Sequence, residues 1–360
     1  DLAKLGVTEQ QIKLNDESFN QFIKEAIPNI VIYDRFVIEE QFGWRVQQEC
    51  PSAMTILDTE DLHFLRHARQ TVAKTKNVES ENLFNDTAKR EIAAILRCDL
   101  SLIISEDELK LLQDKFKIDP SLLYYLPFLE KEITPKNTEK WISFNERKDF
   151  VFIGNFLHEP NWHTVQFLKT KIWPILRKKL PQAQLNIYGA YPSEKVWQLD
   201  NPKENFNIFG RADDAKEVIS KHRILLAPIK FGAGVKGKFI DAMHVGTPSV
   251  TTTTGAEAMK GDLDWNGFIE DDIEAFVKKA VELYENEEEW IKAQQKGIKI
   301  INERYNITKF SHPFREKVKD VYDNLSNHRE QNFFGQLLKH HTVQSTKYMS
   351  LWIEEKNKNK

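Results

Sequence analysis

Residues 223–250 read RILLAPIKFGAGVKGKFIDAMHVGTPSV and combine a strand, a glycine loop and a helix. The apolar run 224–227 predicts a buried strand, and residues 239–245 have the spacing of a helix. A glycine loop between a strand and a helix start is typical of an anion site, because free backbone N–H groups and the helix dipole favour negative charge. Lys236 and Lys238 add two cations, so the sequence predicts that the loop binds a phosphate or diphosphate.

Two other interpretations of this loop are open. Residues 232–238 match the spacing G-x-x-x-x-G-K of a nucleotide-hydrolysing P-loop, a motif that continues with Ser or Thr to hold Mg²⁺. Phe239 stands in that place, which disfavours the P-loop. The second interpretation is a turn softened by glycines, with two solvated lysines and no ligand.

Composition limits the class of protein. The 360 residues are 41% hydrophobic, which allows a sizeable core, and the length predicts two domains. A net charge of −3 disfavours a nucleic-acid partner, since such proteins are usually basic. Two cysteines do not form a disulfide framework, and no apolar run approaches the length of a transmembrane helix, about 18 residues. We expect a cytoplasmic protein, and peripheral association with the inner face of a membrane is compatible with these features.

Predicted strands and helices alternate along the whole chain. In its first part, strands are predicted at residues 30–33, 53–57, 100–104 and 122–126. Helices are predicted there at 39–50, 62–75, 86–97 and 107–116, with a polar loop at 76–84. In the second part, strands are predicted at 150–153, 184–188, 206–209, 224–227 and 248–252. Helices are predicted there from Pro160 and at 212–221, 239–245, 271–285 and 287–304, with another from Thr254 or Gly255. This alternation predicts mostly parallel sheets covered by helices, an α/β fold.

The glycine loop and the segments around it resemble the donor-binding region of family 4 glycosyltransferases. FGAGVKGKFIDAM at 231–243 is followed by TGAEAM at 254–259, and FIGNF at 152–156 and LNIYG at 185–189 precede it in the family's order. The resemblance covers roughly residues 148–310. It implies the GT-B fold, in which two Rossmann-like domains form one enzyme.

The resemblance also implies a reaction. The expected enzyme is a retaining, metal-independent, hexosyltransferase-like glycosyltransferase of polysaccharide biosynthesis. It would move a sugar from a nucleotide-diphosphate sugar to a glycan or lipid acceptor, without any cofactor. Two alternatives are a non-catalytic protein that binds sugar nucleotides and a sugar-nucleotide epimerase of similar architecture. The first is favoured by Ala233 and Asp241, because both stand where the family usually has glutamate.

Candidate ligands for the donor follow from the same resemblance. Lys238 is the first choice for the diphosphate and Lys236 the second, the alternative for Lys236 being a solvated surface lysine. Asp241 lies on the same helix face as Lys238, three residues later, at the position where the family's glutamate binds the ribose hydroxyls. The backbone N–H groups that would face the sugar or the phosphates belong to Gly232, Ala233, Gly234 and Val235.

Other turns contribute further candidates. Gly154 and Asn155 end a predicted strand, and Glu257 follows another, at the strand ends where open α/β sheets bind ligands. An alternative role for Glu257 is to complement the dipole of the next helix from its first turn. Arg211 lies at the turn where the family places the nucleobase, so a contact with the base edge is expected.

His63 is the candidate from the first part of the chain. It ends the segment DTEDLH at 58–63, which resembles an Asp-x-x-Asp-Leu-His segment of related transferases and implies a hydrogen bond to the donor sugar. The alternative is a partly buried histidine at a helix start. His63 and His67 have the spacing of metal ligands, but Phe64 replaces the glutamate of a zinc protease, so no metal site is predicted.

The same family fold guides the division into domains. We assign residues 1–135 to an N-terminal, acceptor-side domain and 146–310 to a C-terminal domain for the nucleotide sugar. Residues 311–330 predict a helix that crosses back to the first domain, and 331–360 a surface tail with a short helix at 333–340. A GT-B chain usually begins with a strand and a glycine-rich loop. Charged, helical sequence comes first here, so we expect a truncated N-terminal domain.

Overall fold

The structure is a computed structural model that describes residues 2–75, 77 and 81–358, apart from the side chains of residues 341–344. Of the polar loop predicted at 76–84, residues 76 and 78–80 therefore lie outside the described residues. The chain divides into two compact units. The first comprises Asp1–Phe64, Leu83–Leu126 and Phe314–Lys360, and the second Leu65–Asn82 and Pro127–Pro313.

The first unit is built on a parallel sheet of four strands. These are β1 (Ile30–Asp34), β2 (Met54–Asp58), β3 (Leu100–Ile103) and β4 (Leu123–Tyr125), paired in that order. The helices of this part of the chain are α1 (Ser18–Ala26), α2 (Arg35–Glu49), α3 (His63–Thr75), α4 (Asp86–Arg97) and α5 (Glu106–Asp114). Because β3 is buried throughout, it reads as a continuous apolar run with one serine.

The second unit contains a parallel sheet of six strands in the order β10-β9-β8-β5-β6-β7. The strands are β5 (Lys148–Ile153), β6 (Leu185–Tyr188), β7 (Phe206–Gly210), β8 (His222–Ala227), β9 (Ser249–Thr251) and β10 (Gly267–Ile269). The helices are α6 (Pro135–Thr138), α7 (Glu159–Phe167), α8 (Trp173–Lys179), α9 (Glu194–Trp197), α10 (Ala215–Lys221), α11 (Gly237–His244), α12 (Thr253–Ala256), α13 (Ile273–Glu285) and α14 (Glu287–Ile300). The predicted α/β fold with parallel sheets is confirmed in both units.

The strand order of this sheet reverses beside β5. The chain runs outward from β5 through β6 to β7, and then returns to pair β8 on the other side of β5. In open α/β sheets, ligands bind at such a reversal, outside the carboxyl ends of the strands. The fold therefore places its ligand crevice at the ends of β5 and β8.

The last part of the chain is more helical than its sequence indicates. It forms α15 (Ile307–Asp323), α16 (Leu325–Gln331) and α17 (Phe333–Lys358). The prediction of a short helix at 333–340 is wrong, because α17 continues to Lys358. The assignment of 331–360 to a surface tail stays a prediction. Two buried positions of α17 are polar, because Ser350 and Glu354 both accept hydrogen bonds from Arg45. The apolar periodicity of α17 is therefore weak.

Two smaller features also differ from the sequence prediction. Strand β10 has only three residues and begins with Gly267 at φ +139°, so it carries no clear strand pattern. The helix predicted to end at residue 304 is an α-helix only as far as Ile300, and it continues as a π-helix over Ile301–Tyr305. Among the described residues, no helix is long and apolar enough to cross a bilayer.

Close packing at the ends of β5 and β6 gives a stability prediction. A Cβ atom on Gly189 would lie 2.1 Å from the carbonyl oxygen of Gly154, so backbone must move to accept it. We expect Gly189→Ala to lower the free energy of unfolding by about 1–3 kcal/mol, the usual range for overpacking. Urea unfolding of both proteins measures the difference.

Gly237→Ala is the matched control, because the nearest atom to its added Cβ would be in ordinary contact at 3.6 Å. Since alanine is also the better helix former, this variant should be as stable as the wild type or slightly more stable. Equal stabilities for the two variants would contradict the tight approach of Gly189 to Gly154.

Candidate functional site

The candidate site lies at the carboxyl edge of the sheet in the second unit. Strand β8 pairs with both β5 and β9, so the turns that follow these three strands are neighbours. The turn after β5 contains Gly154 and Asn155, the loop after β8 contains residues 232–238, and Glu257 follows α12 after β9. The fold thus brings these predicted donor residues to one edge.

Asn161, near the start of α7, connects the first of these turns to the glycine loop. Its amide nitrogen donates to the backbone oxygen of Asn155 at 2.8 Å, and its amide oxygen accepts from Lys238 Nζ at 2.6 Å. A Cβ on Gly154 would lie 2.6 Å from this amide, so glycine makes room for it. Asn161 was not predicted as a site residue, although it lies within the segment that resembles the family.

Lys238 occupies the first turn of α11, where backbone N–H groups are free and the helix dipole is positive. Its ammonium lies 4.4 Å from the ring centroid of Phe152 and makes no ion pair within the described part of the chain. Burial, aided by the nearby charge of Lys236, lowers the pKa of Lys238 to about 7. Lys238 is therefore a cation held by a neutral amide and an aromatic ring, which leaves its charge available to an anion.

Lys236 is held inside the glycine loop. Its Nζ donates to the backbone oxygen of Gly234 at 2.9 Å and lies 4.0 Å from Glu257 Oε2. The side chain is only 9% exposed, so the alternative of a solvated surface lysine is wrong. Gly234 has φ +61°, a conformation that favours glycine and gives this turn its shape.

Glu257 is paired with an arginine that the sequence did not indicate. Arg69, in the part of α3 that belongs to the second unit, donates to both carboxylate oxygens at 2.5 and 2.8 Å. Arg69 also donates to the backbone oxygen of Gly232 at 2.8 Å, so it fixes the loop and the carboxylate together. The alternative of a first-turn glutamate is wrong, because α12 is only Thr253–Ala256 and Glu257 follows it.

Asp241 has different partners from Lys238, although both lie on α11. Its Oδ1 is 3.7 Å from Lys216 Nζ, and that ammonium is 3.4 Å from Glu130. Burial raises the pKa of Asp241 and the charge of Glu130 adds to this, while Lys216 opposes it. Lys216 thus lies between two carboxylates and partly offsets the effect of burial on Asp241.

The predicted nucleobase turn is exposed. Arg211 follows Gly210, whose φ of +74° makes the bend at the end of β7. Beside this bend the rings of Tyr188 and Phe209 stack at 4.9 Å with an interplanar angle of 12°. A role for Arg211 in contacting a base stays a prediction.

His63 belongs to the first unit. Its side chain is 14% exposed, with Nε2 3.4 Å from Asp61 and the ring edge-on to Phe36 at 5.4 Å. Glu91 accepts the backbone N–H groups of His63 and Phe64 at 3.2 and 3.0 Å, and burial raises the pKa of this carboxyl to about 8. These contacts agree with the alternative of a partly buried helix-start histidine, and a bond to a donor sugar stays a prediction.

No group of three or more His, Cys, Asp or Glu side chains that would hold a metal occurs in the described part of the chain. Independence from metal stays a prediction.

Residues 147–286 match the family described as glycosyl transferases group 1. The matched segment lies within the second unit and includes the glycine loop, Lys238, Asp241 and Glu257. An uncharacterized glycosyltransferase of Haemophilus influenzae is 23% identical over 308 residues, covering 82% of this chain and 84% of that protein. The predicted resemblance to glycosyltransferases is confirmed.

Solved glycosyltransferases confirm the GT-B fold. A mutant of S. aureus TarM, in complex with Fondaparinux, alpha-GlcNAc-glycerol and UDP, is similar with a TM-score of 0.63 at 13% identity, over 84% of this chain and 58% of that one. The pneumococcal O-GlcNAc transferase GtfA, in complex with UDP and GlcNAc, gives 0.61 at 14% identity, over 84% and 59% of the two chains. The present chain spans less than two thirds of the length of either structure.

The environment of Lys238 predicts its titration. Labelling with trace acetic anhydride at a series of pH values, followed by mass spectrometry, reports the fraction of each amine that is deprotonated. The reactivity of Lys238 should rise through pH about 7, whereas that of Lys292 should stay low, because Glu288 and Glu289 raise its pKa to about 12.

Asn161→Asp should move this titration upward by about one pH unit or more, because a charged acceptor would replace a neutral one beside the ammonium. Asn161→Leu, which removes the acceptor without adding charge, should not raise it. A wild-type Lys238 that titrates like an exposed lysine would contradict the buried, amide-held ammonium.

Proposed function

We propose that the protein transfers a sugar from a nucleotide-diphosphate sugar to an acceptor, and that the glycine loop with Lys238 binds the diphosphate. The observation that carries this proposal is a cation at a helix N-terminus that is hydrogen-bonded to a neutral amide. The nearby carboxylates have other partners, since Glu257 pairs with Arg69 and Asp241 lies beside Lys216. A diphosphate would supply the negative counter-charge that Lys238 does not have within the described part of the chain.

The chemistry follows from the leaving group. When the bond between the sugar and the diphosphate breaks, negative charge develops on the diphosphate oxygens. Lys238, the free N–H groups at the start of α11 and those of the loop would stabilise that charge in a site that is already formed. Binding would also raise the pKa of Lys238, because the anion favours its charged form.

The finer features are part of the same proposal. Two lysines and a helix terminus would neutralise the diphosphate, so the reaction needs no metal ion. Retention at the sugar carbon and a glycan or lipid acceptor are supported by the family resemblance, and a cytoplasmic location at a membrane face by the composition. UDP is the first nucleotide to test, because TarM and GtfA were solved with it.

A second candidate is a protein that binds sugar nucleotides without turnover. It is favoured by the contact of Asp241 with Lys216 at 3.7 Å, since this cation competes with the ribose for the carboxylate. Ala233, at the place of a family glutamate, points in the same direction.

One experiment separates the two candidates. The protein is incubated with UDP-, GDP- and ADP-sugars, with and without glycan and lipid acceptors, and released nucleotide diphosphate is measured in the presence and absence of EDTA. Release that EDTA does not reduce supports the transferase. Calorimetric binding without release supports the binding protein, and the absence of both overturns the proposal. NMR of the product decides between retention and inversion.

Lys238→Ala should reduce turnover about a hundredfold or more, the typical loss when a donor to a developing oxyanion is removed. Lys230→Ala is the matched control, because Lys230 is an exposed lysine just before the same loop. Initial rates of nucleotide release at saturating donor measure both. A Lys238→Ala rate within about threefold of the wild type would refute the assignment.

Asp241→Asn should weaken nucleotide binding by about 1–3 kcal/mol, the scale of a charge-assisted hydrogen bond to the ribose. The loss should be equal for UDP and for the UDP-sugar, because both contain the ribose, and calorimetry measures it. Glu217→Gln is the control, because it removes a carboxylate of the same helix as Lys216 that pairs with Lys221.

Asp241→Glu tests the length of this side chain. We expect weaker binding, because Lys216 and Glu130 surround the shorter carboxylate. Tighter binding would show that the site has room for the family's usual residue.

A further inference from the structure

A cavity of about 190 Å³ lies inside the first unit. A water molecule occupies about 30 Å³ of liquid, so the space exceeds that of a single water. Gln47 and Pro51 border it and are exposed, which gives access from solvent. The lining comes from the β1–β2 part of the unit, from α2 and α4, and from α16 and α17, and it includes five charged side chains or strong hydrogen-bond donors: Tyr33, Glu39, Arg97, Arg329 and Lys339.

The charges around this cavity do not balance. Arg97 forms a buried, bidentate ion pair with Glu39. Arg329 forms a second bidentate pair, with Asp99, at 2.8 Å for both contacts. These pairs use both carboxylates, and Lys339 remains as a third cation. Its Nζ lies 3.9 Å from Asp99, beyond hydrogen-bond distance, and its side chain is 13% exposed.

Two groups that line the cavity make no hydrogen bond, and both can donate one. The hydroxyl of Tyr33 is buried, with the residue 3% exposed, and it has no hydrogen-bond partner among the described residues. In the same part of the chain no hydrogen bond is formed by the ammonium of Lys339, which burial also destabilises, lowering its pKa. A buried donor without an acceptor costs free energy, and a buried ammonium that makes no hydrogen bond and shares the carboxylate of Asp99 with Arg329 is poorly compensated.

Arg329 is fixed independently of any ligand. It donates to the backbone oxygens of Pro51 and Ala53 at 2.6 and 2.7 Å, in addition to Asp99. These bonds fix Arg329 in the lining of the cavity. Lys339 and Tyr33 also line the cavity, and both can still donate hydrogen bonds to a ligand. An acceptor with negative charge meets both requirements, whereas an apolar ligand or a cation meets neither.

We propose that this cavity binds a small oxyanion, a carboxylate or a phosphate group, through Lys339 and Tyr33. The site is separate in sequence and in unit from the glycine loop, so it does not depend on the proposed transferase activity. The two oxyanions share the chemistry of charged oxygen acceptors, and the experiment distinguishes them.

Titration calorimetry with sodium phosphate and with sodium acetate, at constant ionic strength in sodium chloride, tests the proposal. Every protein carries Lys238→Ala, so that the glycine loop contributes no second anion site. We expect saturable binding of one equivalent of phosphate or acetate, and the tighter of the two identifies the class. Lys339→Met should weaken it about tenfold or more, as expected for a charge-assisted bond, and Tyr33→Phe by a smaller factor.

Lys356→Met is the matched control, because Lys356 is an exposed lysine on the same helix, and it should bind as the parent does. Folding is monitored by unfolding midpoints in chloride alone. There, Lys339→Met should be at least as stable as the parent, since it removes a buried cation. In phosphate or acetate only proteins that keep Lys339 should gain stability. No saturable binding, or binding that survives both Lys339→Met and Tyr33→Phe, would overturn the proposal.

Discussion

The hydrogen bond from Lys238 to Asn161 joins the elements on which the candidate site depends. It connects the first turn of α11 to the start of α7, and Asn161 in turn holds the backbone of Asn155 after β5. Because β5 lies where the strand order reverses, these contacts lie at the edge of the sheet where open α/β folds bind ligands. Gly154 has no side chain at the one point where a Cβ would meet the Asn161 amide.

Charge is distributed around this edge in a consistent way. Glu257 is occupied by Arg69, and Asp241 lies beside Lys216. A neutral amide is the partner of Lys238, so its charge is not compensated by the protein, and burial lowers its pKa to about 7. At neutral pH, Lys238 is therefore only partly protonated, and a bound anion would favour its charged form. This distribution of charge is the basis for our proposal that the site binds an anion.

The parts of this arrangement that could be predicted from the sequence are those whose residues follow one another along the chain. The glycine loop, the strand before it and the start of α11 follow one another, so spacing alone predicts an anion site there. Arg69 and Asn161 are distant in sequence from Gly232 and Lys238, so spacing along the chain does not connect them to the loop. α17 was missed for another reason: its buried positions include Ser350 and Glu354, so no apolar period shows which face is inside.

The first unit applies the same physical rule to a different set of residues. Its buried arginines are matched one to one with carboxylates, which is how proteins usually keep charges inside. Lys339 is an additional cation beside the Arg329–Asp99 pair, and Tyr33, which lines the same cavity, has a hydroxyl that no described residue accepts. In both units, the cation that remains after the internal ion pairs are counted, Lys238 or Lys339, is the group that we propose binds a ligand. Counting the partners of each buried charge therefore locates candidate sites that the pattern of the sequence does not show.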